Sequence, residues 1–253
     1  MPDLSINWFF GLPLLLVFAI MLLALVAATE IGFRIGRRLH HSQKETARQE
    51  TGALQASVLG LLALFLGFTY SASTSRFEER RLLTVKESNA IGTAYLRADL
   101  LPESEAAPVR DALRRYTDLR IAAGPEASRD AEALATQVWA TTVSHARQNP
   151  TPTAALGVAA VNDMIDAYGE RQASLASRVP KQVFHLLGIL ALVALGLTGY
   201  SCGVIGYRGF GSTTVIAALV AAVIVLILDL HEPRQGLIRD NLEPLRQVRA
   251  SMK

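Results

Sequence analysis

Two stretches near the start of the chain lack any charged residue: Trp8 to Thr29 and Ala53 to Ser73. A helix rising about 1.5 Å per residue crosses a hydrocarbon core of about 30 Å in about 20 residues, so either stretch can span a bilayer. Two more follow downstream. Gln182 to Tyr207 carries only His185, and Gly209 to Leu228 is uncharged and rich in Val, Ile, Leu and Ala. Inside lipid, a helix satisfies its own backbone hydrogen bonds. The expectation is an all-α polytopic membrane protein with four transmembrane helices and a helical extramembrane region. The first block is read as a retained span rather than a cleaved signal, because Met1 to Asn7 contains no Lys or Arg and the apolar stretch is long.

Composition narrows the function classes. The single cysteine, Cys202, lies inside the third apolar block, which excludes an internal disulfide and a cysteine metal cluster. His40 and His41 are adjacent, so on a helix they diverge by about 100° and do not chelate one ion. No metal and no cofactor are expected. The formal net charge is only +3. Its basic residues flank apolar blocks, as Arg34, Arg37 and Arg38 or Arg76, Arg80 and Arg81, and form no long basic stripe interleaved with aromatics. That pattern fits a bilayer surface and argues against nucleic acid as a partner.

Punctuation divides the chain into residues 1–73 with two spans and a basic loop, a helical extramembrane region 74–181, two further spans in 182–230, and a tail 231–253. Within the polar region, helices are expected from about Ser75 to Leu100, from Ser104 as cap to about Ala123, over roughly Glu126 to Gln148, and over roughly Thr153 to Arg178. Pro102, Gly124-Pro125, Asn149-Pro150 and Pro180 separate them. Four spans place the termini and the long region on one side. The positive-inside rule gives no single orientation, since Arg34 to Arg48 is basic and so are the flanks of the long region.

Several motifs have two readings. Gly199-Tyr200-Ser201-Cys202-Gly203 matches G-x-S-x-G, but a nucleophile elbow needs a strand before the serine, and this one sits within a membrane helix. His185, sixteen residues away, would be about 24 Å distant along that helix. The small residues read as a packing surface, and no enzymatic activity is expected. Gly32-Phe33-Arg34-Ile35-Gly36 is a G-x-x-x-G, open between a close helix contact and chance. Asp229 at the last turn of the fourth span, with Arg234 the nearest base, reads as an ion path, a buried pair, a subunit contact or an interfacial carboxylate.

The second span carries the most specific pattern. Gly60, Leu64 and Phe68 fall at i, i+4 and i+8 on one face, which continues to Ser71 and Ser75. An apolar constriction opening into a wetter vestibule has this order, although ordinary helix packing accounts for the apolar part too. Arg76 and Arg80 follow at i, i+4, with Glu79 and Glu87 placed to pair them, and Asn89, Thr93 and Arg97 make a further polar stripe.

Those residues resemble bestrophins, oligomeric anion channels, and more closely the bacterial membrane proteins grouped as bestrophin-like. The resemblance lies in LFLGF from Leu64 to Phe68, in Arg76-Phe77-Glu78-Glu79-Arg80, in Glu87 to Arg97 (ESNAIGTAYLR) and in Asp229 to Ile238 (DLHEPRQGLI). It implies a homo-oligomer, a pentamer, in a bacterial inner membrane, with the 74–181 region cytoplasmic and inorganic anions such as chloride passing along the second span. On that reading Gly60, Leu64 and Phe68 form the neck, and Arg76, Glu79, Arg80, Glu87, Asn89 and Arg97 form the pore entrance or subunit contacts. Departures are specific: the first of three bulky neck levels falls on Gly60, Phe77 and Glu78 replace tryptophans, and nothing resembles a calcium clasp. The alternative is a non-conducting scaffold or sensor whose helical region binds partners.

Overall fold

The computed structural model describes residues 14–39, 45–122, 124–177, 180–231 and 241–253. Among them every regular element is helical: α1 Leu14–Arg38, α2 Glu45–Arg97, α3 Glu103–Ala122, α4 Pro125–Gln148, α5 Pro152–Ala176, α6 Lys181–Ile205, α7 Phe210–His231 and α8 Glu243–Ser251. A 3₁₀ turn at Ala98–Leu100 follows α2. Four of the helices are long and apolar enough to cross a membrane. The chain divides into a unit of Met1–Phe77 with Arg178–Arg239 and a second of Glu78–Ser177 with Asp240–Lys253.

In the first unit α1, α6 and α7 pack around Leu25, Leu187, Ala191, Leu195, Ala217, Ala221 and Ile227, and Leu62 of α2 joins that core. Glycine makes the α1 to α6 contact possible. A Cβ added at Gly32 would lie 1.9 Å from Gly196 O, one at Gly36 2.2 Å from Tyr200 O, and one at Gly199 1.9 Å from Thr29 O. The G-x-x-x-G of α1 and the G-x-S-x-G of α6 are therefore two halves of one backbone-to-backbone crossing. Ser201 lies buried within α6 with no strand before it, so its surroundings are those of helix packing.

In the second unit Ile91, Ala94 and Ala98 of α2 and its exit turn pack with Leu113 and Tyr116 of α3, Val138 of α4 and Met164 of α5. Thr151 caps α5 by accepting from Ala154 N at 3.1 Å, and Pro152 opens the helix where its missing N–H costs nothing. Ser104 is not the cap of α3: Glu103 already belongs to the helix, and Pro102 O accepts from Ala106 N at 2.8 Å. The tail adds an unexpected helix. Leu245 of α8 and Met252 just beyond it are buried in the same core, and Arg249 grips Asp118 at 2.8 and 3.0 Å.

The largest difference from the sequence reading is α2. It runs unbroken for 53 residues, where a span ending at Ser73 and a new helix from about Ser75 are expected. Neither proline nor glycine occurs between Phe68 and Gly92. Thr74 does not act as a cap; its Oγ1 donates back to Tyr70 O at 3.0 Å, a bond made within a continuing helix.

Candidate functional site

Within the chain α2 is the least covered of the four spans. Of its most apolar 18-residue window 6% is buried, against 33% for α6 and 39% for α7. The 100° step of a helix sorts its residues into two faces. Leu62, Thr69 and Ser73 point inward in the membrane unit. On the opposite side Gly60, Leu64, Phe68, Ser71 and Ser75 are exposed, with Leu64 at 52% and Phe68 at 68%. A Cβ at Gly60 or at Gly67 would meet nothing within 4 Å among the described residues. The expected stripe thus lies on one uncovered face, apolar first and hydroxylated after.

The polar residues expected beyond it do not stay together. Arg76 is half-buried, Glu79 and Asn89 are exposed, and Arg97 donates from Nη1 to Leu156 O at 3.0 Å. Arg80 is 4% exposed and Glu87 is 0% exposed. Both lie on the inward side of α2 in the second unit, together with Thr84 and Ile91. Asp229 is buried near the end of α7, while Arg234 lies outside the described residues, as do His40, His41 and the motif from Glu232 onward.

Glu87 is instead the centre of a clamp that sequence spacing does not reveal. Its Oε1 accepts from Arg120 Nε of α3 at 2.5 Å, and its Oε2 accepts from Arg171 Nη1 of α5 at 2.7 Å. Both arginines are almost fully buried. Arg120 also lies 4.4 Å over the Tyr168 ring, a cation–π contact strengthened by desolvation. Burial works against the Arg120 charge, but the Glu87 hydrogen bond and negative charge outweigh it and hold the pKa above the ordinary value. Tyr116 stands beside the clamp with a buried hydroxyl, and burial followed by the charge of Glu87 raises its pKa. The hint in the sequence is a glutamate on the apolar side of α2, between Thr84 and Ile91, which demands a buried counter-charge. Which arginines supply it depends on how α3 and α5 pack.

Among the described residues no group of three or more His, Cys, Asp or Glu side chains is placed to hold a metal. In the first unit, Gly60, Leu64, Phe68, Ser71 and Ser75 of α2 are exposed on one face; in the second, α2 is held by the Glu87 ion pairs.

Comparison with known proteins shows the family and the fold. The Bestrophin-like domain family matches residues 23–244. Among solved structures, a bacterial bestrophin homolog from Klebsiella pneumoniae, phased with zinc, covers 95% of this chain and 96% of its own at 17% identity, with a TM-score of 0.63. A tryptophan-to-alanine variant of that homolog gives 17% identity, 94% and 95% coverage and a TM-score of 0.67. A tyrosine-to-alanine variant gives 18%, 93% and 96%, and 0.67. At such identity the likeness concerns the fold. No curated protein matches the chain.

Proposed function

This chain belongs to the bestrophin-like family, and from that premise we propose that it assembles into a ring in the bacterial inner membrane and conducts anions along α2. One observation carries the reading: the exposed α2 face in which Leu64 and Phe68 precede Ser71 and Ser75. Facing lipid, Ser71 and Ser75 would gain nothing from their position. Facing an axis, the order makes a narrow apolar neck that opens into a hydroxyl-lined vestibule. Gly60 widens the level before Leu64, so the neck has two bulky levels rather than three.

The anion preference and the pentameric count come from the resemblance to bestrophins, as does a cytoplasmic placement of the 74–181 region. Arg76, half-buried, is the first basic residue after Ser75 along α2. Glu79 and Asn89, exposed on the same helix, are assigned to the entrance or to subunit contacts. Arg80 and Glu87 act from within the subunit by fixing the helix that bears the entrance. Arg97 does the same through its bond to Leu156.

The test is chloride flux into liposomes holding the purified oligomer. Flux above that of empty vesicles supports conduction. No flux across several pH values and voltages, from protein that remains oligomeric, favours a non-conducting scaffold.

A further inference from the structure

At the end of α1 one acid holds two arginines. Glu30 Oε1 accepts from Arg34 Nε at 2.9 Å, and Glu30 Oε2 accepts from Arg208 Nη2 at 3.0 Å. Arg208 reaches Glu30 from the turn between α6 and α7 and lies 5.4 Å from the centre of the Phe33 ring and 6.0 Å from that of Phe210. Both arginine side chains remain more than half exposed, at 73% and 56%. A guanidinium has five N–H donors, so the shared acid orients both groups and leaves donors on each for another acceptor. Arg37 and Arg38 follow one turn later, exposed, with no acidic partner among the described residues. Among the described residues this end of α1 and the α6–α7 turn thus gather four arginines around one paired carboxylate, Glu30.

Below them the same side of α1 is apolar and uncovered. Leu16, Ile20, Leu23, Ala27 and Ile31 are exposed within a 100° sector that also contains Arg34 and Arg38. From Leu23 to Ile31 the stripe runs about 12 Å, close to the roughly 15 Å depth of one leaflet. Tyr207, exposed by 70%, stands beside Arg208 at this level, where an amphipathic ring marks the lipid–water boundary, and Phe210, exposed by 55%, adds an apolar ring.

We propose that Arg34, Arg37, Arg38 and Arg208 seat the phosphate headgroup of an anionic phospholipid whose acyl chain lies along the exposed α1 face. The charge of the cluster selects an anion, and the apolar stripe leading into it selects a lipid over a free ion. Glu30 is the positioning residue, because it holds arginines from two separate elements at one place. The inference does not depend on conduction.

The experiment is native mass spectrometry of the full chain, as the intact oligomer, with phosphatidylglycerol, phosphatidylcholine or inorganic phosphate. Phosphatidylglycerol is expected to be retained in preference to phosphatidylcholine. The double variant Arg37→Gln/Arg38→Gln should lose about thirtyfold of that preference, as expected for two charges near an anionic surface. The same oligomer mass should persist, Arg37→Lys/Arg38→Lys should restore the preference, and Arg129→Gln, an exposed arginine on α4, should leave it unchanged. Equal retention of the two lipids, an unchanged preference in the glutamine variant, or displacement of phosphatidylglycerol by inorganic phosphate at equal concentration would overturn the assignment. So would a glutamine variant that dissociates the oligomer while its subunits keep the preference, since these arginines would then be subunit contacts.

Discussion

Glu87 Oε1 accepts a hydrogen bond from Arg120 Nε at 2.5 Å, at a position where neither side chain is more than 5% exposed. The ion pair ties α2 to α3, and Arg171 extends it to α5. A charge this deep is tolerated only with its partners in place, so the clamp is a condition for the second unit to fold around α2.

Removing the acid while keeping both arginines should therefore be costly. Glu87→Gln and Glu87→Ala are expected to lower the unfolding free energy by about 3–5 kcal/mol, read from chemical unfolding of the full chain in detergent. Glu79→Gln, on the exposed side of the same helix, should stay within about 0.5 kcal/mol of the parent. Equal behaviour of the two variants would remove the structural role assigned to Glu87.

Alkaline pH should weaken the same region. Burial raises the pKa of Tyr116, and the charge of Glu87 adds to it; burial also raises that of Tyr168. The folded chain thus keeps phenolic protons that the unfolded chain releases above about pH 10. Stability from these groups is complete below that value and falls as pH rises past it, by up to about 1.4 kcal/mol per pH unit for each tyrosine. Unfolding midpoints measured from pH 8 to 11 should decline less steeply in Tyr116→Phe than in the parent. An identical slope would show that Tyr116 ionises freely in the folded protein.

The two sets of glycines separate packing from an uncovered face. Gly199→Ala would push a Cβ to 1.9 Å from Thr29 O and force α1 and α6 apart. A loss of at least about 1–3 kcal/mol is expected, together with reduced yield of folded protein. Gly60→Ala and Gly67→Ala place the same methyl in open space and should preserve or raise subunit stability, since alanine favours the helix by about 1 kcal/mol. Thermal unfolding in detergent distinguishes the two groups. A destabilised Gly60→Ala subunit would mean that this face is packed after all.

Much of this architecture is legible in the residues, and the exceptions have physical causes. Uncharged blocks announce the spans, because lipid tolerates few alternatives to a self-satisfied helix. Proline and glycine mark most helix ends for the same local reasons. The unbroken α2 escapes because a change from apolar to charged sequence alters what surrounds a helix without stopping it. The tail helix escapes because its stability rests on Leu245 and Met252 reaching a core built by distant segments. At the candidate face, i, i+4 spacing suffices to align Leu64 with Phe68. That Glu87 pairs with Arg120 of α3 and Arg171 of α5 is tertiary information, which local spacing does not carry. The two glycine motifs lie on different helices, and only packing reveals that they meet.

The central claim is that Leu64 and Phe68 line an ion path, and single-channel recording in planar bilayers tests it most directly. The parent, Leu64→Ala, Phe68→Ala and Leu62→Ala would be compared in symmetric chloride, with oligomer size checked for each. Leu64→Ala and Phe68→Ala should conduct more than the parent at unchanged oligomer size, because each removes bulk from an apolar neck. Leu62→Ala, on the buried side of the helix, should destabilise the subunit by about 2–5 kcal/mol without widening the path. Anion currents indifferent to both neck substitutions, or no current from any intact oligomer, would contradict the account.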